Sequence, residues 1–167
     1  MRIPVIAAIL AGACVPMGTT TLQPPIRPGA AVAAPREATW SALLAVWSEN
    51  AQSLGVITHS DAENGLLVAS LSRTSSAAVA RDLPRWGTCN SVASLTLDPD
   101  SLTWTVVVQG TEVSSTVRAS ALFWKPGLDC VSHGVREAEL EQLVRATAEG
   151  GGAVPLPNRR GVAHRGR

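Results

Sequence analysis

The chain has 167 residues, 46% of them hydrophobic, which suits one globular domain. Fourteen Lys and Arg stand against thirteen Asp and Glu, and the net charge of +1 gives no electrostatic case for a nucleic-acid partner. Five Trp, one Phe and no Tyr form an unusual aromatic set, and the three Cys and three His are few enough to weigh singly.

The N-terminus reads Met1-Arg2, then an apolar run from Ile3 to Ala13, then Cys14. That run is too short for a spanning helix, which needs about 20 apolar residues. A positive start, a short apolar core and small residues before a cut are the parts of a secretory signal. Leu10-Ala11-Gly12-Ala13-Cys14 resembles the lipobox of bacterial lipoproteins. The resemblance implies that residues 1–13 are removed and that Cys14 becomes a lipid-bearing N-terminus. Val15, rather than Asp, is then compatible with sorting to the outer membrane, facing the periplasm. A plain secretory signal cut near Ala11 or Ala13, or a cytosolic start, are the alternatives. With Cys14 acylated, Cys89 and Cys130 remain, and an oxidising compartment lets them pair. Such a bridge closes a loop of roughly 42 residues, worth about 4 kcal/mol in the chain-entropy description. Two buried free thiols are the alternative without export.

Residues 14–34 read as a tether, broken by Pro16, Pro24-Pro25 and Pro28-Gly29 and extended by its prolines. An ordered arm lying on the domain is the other reading. The domain is expected over 35–150. Pro35 suits a helix start, and Trp40, Leu43, Leu44, Trp47, Ala51 and Leu54 share a stripe, which predicts a helix over 36–53 ended by a left-handed cap at Gly55. The stretches 55–59 and 66–71 flank Asp61-Ala-Glu-Asn-Gly65, whose Asn-Gly predicts a hairpin. Residues 73–88 lack a period and hold Pro84 and Gly87, so a long loop is expected, with a short helical turn near 77–81.

A strand is expected over 90–97, with Ala93, Leu95 and Leu97 on one face. Leu102, Trp104, Val106 and Val108 alternate with polar residues, and Val117, Ala119, Ala121 and Phe123 do the same, predicting two more strands. The three strands would form a meander with one buried face. A second helix is expected over 135–149, burying Leu140, Leu143, Val144 and Thr147 and leaving Glu137, Glu139, Glu141 and Arg145 mostly outside. Residues 151–167, rich in Gly, Pro and Arg, read as a disordered basic tail. Helices segregated onto an antiparallel sheet make an α+β domain, with about five strands covered by an N-terminal and a C-terminal helix.

Arg36-Glu-Ala-Thr-Trp40-Ser-Ala-Leu43-Leu-Ala-Val-Trp47, followed by Val56-Ile57 and Gly65-Leu-Leu67, resembles the helix-hairpin start of BamC-like lipoproteins of the outer-membrane barrel-assembly machinery. Cys130-Val-Ser132-His-Gly134 before an acidic helix is similar to some members of that group. The resemblance implies a helix-grip-like α+β fold.

No P-loop, dinucleotide fingerprint, H-E-x-x-H or paired C-x-x-C occurs, so no cofactor and no metal is implied. His59, His133 and His164 lack metal-ligand spacing. Cys89 or Cys130 with His133 would imitate a thiol–imidazole pair, but a disulfide removes that nucleophile. The reading is therefore non-catalytic. The chain is expected to be a lipid-anchored envelope accessory or scaffold acting through protein contacts. The alternative is a periplasmic binder of a small apolar molecule or lipid in a helix-grip cavity. Trp40, Trp47, Trp86 and Trp104 are the candidate ligand or partner contacts.

Overall fold

Two ten-residue strands, Ser101–Gly110 and Ser115–Trp124, form the centre of the computed structural model, which describes residues 27–90 and 96–150. The expected signal, Cys14, most of the proline-rich segment and the basic tail lie outside the described residues, as do 91–95. The order is β1 (Ala30–Val32), α1 (Arg36–Glu49), α2 (Ala51–Leu54), β2 (Val56–Asp61), β3 (Leu66–Ser72), a 3-10 turn (Arg73–Ser75), α3 (Ala77–Trp86), β4 (Gly87–Asn90), β5 (Thr96–Leu97), β6 (Ser101–Gly110), β7 (Ser115–Trp124), β8 (Asp129–Ser132) and α4 (Val135–Ala148). The class is α+β. A five-stranded antiparallel sheet has the order β1-β7-β6-β3-β2, and a three-stranded sheet has the order β5-β4-β8.

Period-two alternation builds the larger sheet. Leu102, Trp104, Val106 and Val108 are all fully buried, with Val117, Ala119 and Phe123 beside them on β7 and Leu67, Ala69 and Leu71 on β3. Trp104 lies in register between Ala69 and Ala121, and these small neighbours leave room for its indole. Trp47 of α1 meets that indole edge-on at 6.3 Å and 88°, a favoured aromatic geometry.

The hairpin from β2 to β3 forms where Asn-Gly demands it. Both Asp61 carboxylate oxygens accept from Asn64, its N–H at 3.0 Å and its Nδ2 at 2.7 Å. Gly65 has φ +65°, and a Cβ there would lie 2.1 Å from the Val108 carbonyl oxygen.

The first helix differs from its expected form. It ends at Glu49, and Asn50 turns its side-chain amide back onto the Val46 carbonyl at 2.8 Å before one further turn. Its buried face is Thr39, Trp40, Ala42, Leu43, Val46 and Trp47, whereas Leu44 is 37% exposed and Ala51 is exposed. After the break Leu54 reaches the core and Ala51 does not. Gly55 stops the helix at φ +93°, but its ψ of −170° is extended, so it is not a left-handed cap. A Cβ at Gly55 would stand 2.1 Å from the Ser70 carbonyl oxygen.

Three further expectations are corrected. The end of the expected tether is a strand: Ala30–Val32 pairs with 115–117, and Val32 and Ala34 are buried. The expected loop over 73–88 is mostly helix α3. There Ser76 Oγ accepts the Val79 N–H at 3.1 Å, and Val79 and Leu83 give a buried i, i+4 pair. Pro84 lies inside that helix, in its last turn, where it removes the i→i−4 bond to residue 80. Residues 90–97 are not one strand of a meander: β4 and β5 run antiparallel to each other, Asn90 opposite Thr96, in the smaller sheet. After Pro126-Gly127 the chain forms β8, which pairs with β4 and places Cys130 directly opposite Cys89.

Cys89 and Cys130 are disulfide-bonded. The bridge staples a sheet whose strands are only two to four residues long. Replacing both cysteines by Ala is expected to lower the unfolding free energy by about 3–4 kcal/mol, read from urea melts whose m-value rises because the uncross-linked denatured chain exposes more surface. Gly55→Ala is expected to cost more than about 1 kcal/mol in the same assay, because the strained φ and the Ser70 contact both oppose a methyl.

Candidate functional site

Two regions concentrate chemistry or exposure. The first surrounds the start of α4, where the Cys130-Val-Ser132-His-Gly134 motif meets the acidic helix. Ser132 Oγ donates to Glu137 Oε1 and accepts the Gly134 N–H at 3.0 Å. Gly134 adopts φ +73° and starts the helix, while its carbonyl accepts from Arg27 Nη1 at 2.6 Å. Glu141 Oε1 accepts the Ala119 N–H of β7 at 2.9 Å, and its Oε2 stands 4.0 Å from Arg27 Nη2. Arg136 pairs with Glu139 at 2.9 Å and lies over the Trp86 ring, 4.7 Å from its centroid.

These contacts overturn the expected placement of the acids. Glu137, Glu141 and Arg136 are buried. The helix can bury them because Ser132, Ala119 and Arg27, all from outside the helix, supply donors for the two carboxylates, as buried charge requires. Glu137 Oε2 and Arg136 Nε have no hydrogen-bond partner among the described residues. Burial pushes the Glu141 carboxyl above the usual carboxylate range; the Ala119 N–H and then Arg27 oppose this, nearby Glu137 adds to it, and Arg118 opposes it slightly.

The cluster does not assemble a nucleophile. The Cys130 sulfur is in the disulfide. The His133 ring turns to the Arg85 carbonyl, with Nδ1 at 2.9 Å, and the His133 backbone N–H donates to the Trp86 carbonyl at 2.8 Å. His59 is exposed on β2. No group of three or more His, Cys, Asp or Glu is disposed for a metal among the described residues. Asp98 and Asp100 pair with Arg73 and Lys125 at 3.3 and 2.9 Å, bracing the start of β6.

The second region is the outer face of the larger sheet. Helices α1 and α4 lie against the inner face, and the smaller sheet joins them there, with Gly87 set against the Phe123 ring. Thr105, Arg118 and Ser120 remain exposed on the other side. At the far end of β7 that face carries Leu122, 67% exposed, and Trp124, 56% exposed. Leu122 is in register with Thr103, and Trp124 with Ser101. They share that face with Thr103, Thr105, Ser120 and Arg118, and with the half-buried Leu66, Val68 and Val107 and the exposed Val56.

The tryptophans nominated from sequence fall elsewhere. Trp40, Trp47 and Trp104 are buried in the core, so they have no surface to offer a protein partner. Trp86 is half-buried beneath Arg136. Trp124, which sequence reasoning passed over, is the exposed one. The available signal was its even-numbered phase on β7, opposite to Val117, Ala119 and Phe123. A shallow depression of about 420 Å³, lined by residues that include Arg36, Glu37 and Glu112, lies at the β6–β7 turn. There Arg36 Nη2 donates to the Ala62 and Glu63 carbonyls, each at 2.5 Å, so its guanidinium is already engaged.

No family model, curated protein or solved structure matches the chain.

The raised Glu141 carboxyl fixes the sign of a pH effect. Its charged form is disfavoured in the fold, so its contribution to stability is fully present below the unfolded carboxylate value of about 4.3 and is lost as pH rises through the folded value. Glu141→Gln keeps an acceptor for Ala119 without the charge. The stability of that variant relative to the native chain is expected to increase between about pH 4 and pH 8, read from urea midpoints. Glu141→Leu is expected to lose about 1–3 kcal/mol, because it strands the Ala119 N–H.

Proposed function

We propose that the chain is a lipid-anchored cell-envelope protein, held to the membrane through Cys14, that works without catalysis as an accessory or scaffold. Its contact surface is the outer face of the larger sheet around Leu122 and Trp124. The observation that carries this reading is the pairing of a filled inner face with large apolar side chains on the outer one. A tryptophan and a leucine held in water on a rigid strand favour a partner that removes them from it. The Cys89–Cys130 bridge agrees with maturation in an oxidising compartment. The lipobox-like Leu10-Ala11-Gly12-Ala13-Cys14 agrees with the same route. No helix among the described residues is long and apolar enough to cross a membrane, so attachment in this reading falls to the acyl chains. Sorting to the outer membrane, and kinship with BamC-like accessory lipoproteins, belong to the same proposal.

The alternative, a periplasmic binder of a small apolar molecule or lipid, has less support. The space a ligand would take between helices and sheet is filled by Leu43, Val46, Trp47, Trp104, Leu140 and Val144.

Intact-mass spectrometry of the protein purified from membranes tests the anchor. The expected mature chain begins at Cys14 with an acyl increment, and Cys14→Ser abolishes it; a native chain that still begins at Met1 without acyl mass overturns the reading. For the surface, Leu122→Ser with Trp124→Ser is expected to change stability by less than about 0.5 kcal/mol. The same pair of changes should abolish site-specific photo-crosslinks from position 120 to envelope proteins, and crosslinks that persist unchanged would place the contact elsewhere.

A further inference from the structure

The stretch before α1 has the composition of a linker, yet it is seated in the fold at every step. Arg27 reaches the Gly134 carbonyl and stands near Glu141. Gly29 passes so close to β7 that a Cβ would lie 2.6 Å from the Val117 carbonyl oxygen. Residues 30–32 pair with 117–115. The Ala33 N–H, on the side away from that ladder, donates to Glu149 Oε1 at 2.8 Å. The arm therefore lies between β7 and α4, hydrogen-bonded to the strand and clipped by two carboxylates of the helix. Beyond it the chain is fixed more firmly. Thr39 Oγ1 donates to Ser115 Oγ at 2.6 Å and Ser115 Oγ to the Ala34 carbonyl at 2.9 Å, both in buried positions, and the Arg36 N–H donates to the Thr111 carbonyl at 3.1 Å.

We propose that residues 27–33 are a detachable strap, docked in cis along β7 and α4, whose release adds seven residues to the chain between Cys14 and the domain. The length role rests on the anchoring proposed above; the detachment does not. Little apolar surface holds the strap: among residues 27–33 only Val32 is buried. Its clips are few: Arg27, 39% exposed, on the Gly134 carbonyl and 4.0 Å from the buried Glu141 carboxylate, and the exposed Ala33–Glu149 bond, which is correspondingly weak. Against them stands the conformational entropy of seven ordered residues, which small side chains do little to offset. Local opening of such a segment is the expected low-energy excursion of a fold whose sheet core is fully buried. The buried Thr39–Ser115–Ala34 relay sets where peeling stops. Released, the seven residues of the strap can add at most about 25 Å to the reach of the chain. The domain would thus have two working distances from the bilayer without any change in its own packing.

Hydrogen exchange by mass spectrometry on the full chain in lipid nanodiscs tests detachment. Amides of residues 30–33 are expected to exchange at least about 100-fold faster than those of 102–108 under conditions where the core stays protected. Ala31→Cys with Thr116→Cys, at register partners that are both exposed, should slow the arm to the rate of the core once oxidised. Arg27→Ala with Gly29→Val should raise arm exchange to the unprotected rate while leaving 102–108 unchanged. Arm and core exchanging together in one global event overturns the strap. For the length role, energy transfer from a dye at the exposed position 52 to the bilayer should report a longer distance in the released variant than in the locked one. Equal distances overturn that role. An unacylated Cys14 removes the anchor and the length role together, while the exchange result still decides whether the arm detaches.

Discussion

The seat of Trp104 governs the rest of the domain. Its indole needs small neighbours on both sides, and the register supplies Ala69 on β3 and Ala121 on β7. A slip of one residue would turn every buried side chain of a strand to the solvent, so this seat fixes β3, β6 and β7 together. Trp47 then packs edge-on against Trp104 and donates its indole N–H to the Gly55 carbonyl at 3.0 Å. One aromatic contact thereby ties the first helix, the glycine that ends it and the hairpin that follows. The same phase decides the outer surface. Because Ala121 faces Trp104, Leu122 and Trp124 must face away, and the side chains proposed for partner contact follow from the packing of the core.

The smaller sheet is joined to this core by polar as well as apolar contacts. Phe123 fills the space over Gly87, and the disulfide holds β8 to β4. Beyond the bridge, Ser132 and Gly134 hand the chain to α4, and each member of the Cys-x-Ser-x-Gly pattern has a structural partner. Glu141 accepts the Ala119 N–H on the flank of β7, just past the residues that pair with β1. A helix carboxylate thus continues what the three-residue strand begins. This explains why charged groups are buried on α4 without a catalytic arrangement around them: they complete the hydrogen bonding of a short strand and hold the arm.

The arm clipped between strand and helix at the sheet edge and the apolar cluster on its outer face are the two features on which the proposed anchored, scaffold-type role rests. The arm and the cluster meet β7 at opposite ends, the arm beside Ser115 to Val117 and the cluster at Leu122 and Trp124. A partner seated on the cluster would therefore be carried on the same rigid strand that receives the arm.

Local pattern determined much of this in advance. The alternation around Trp104 and Val117, the Asn64-Gly65 turn and the stripe of Trp40, Leu43 and Trp47 are one-dimensional signals, because each element buries one face at its own period. The pairing of Cys89 with Cys130 was legible from chemistry, through the compartment that the N-terminus implies. Tertiary contact alone decided the rest. Ala30–Val32 has no pattern of its own and becomes a strand because β7 offers an edge. Helix α3 buries only Val79 and Leu83, too little to outweigh Pro84 and Gly87 when read by periodicity. Asn90 and Thr96–Leu97, expected in the first strand of a meander, join the smaller sheet instead, where Cys89 pairs with Cys130 of β8. Glu137 and Glu141 read as solvent-facing acids, since the Ser132, Ala119 and Arg27 groups that satisfy them lie outside the helix, two of them far away in the sequence. A sequence displays the period of an element; the partner that removes a charge or an edge from water is visible only once the chain has folded around it.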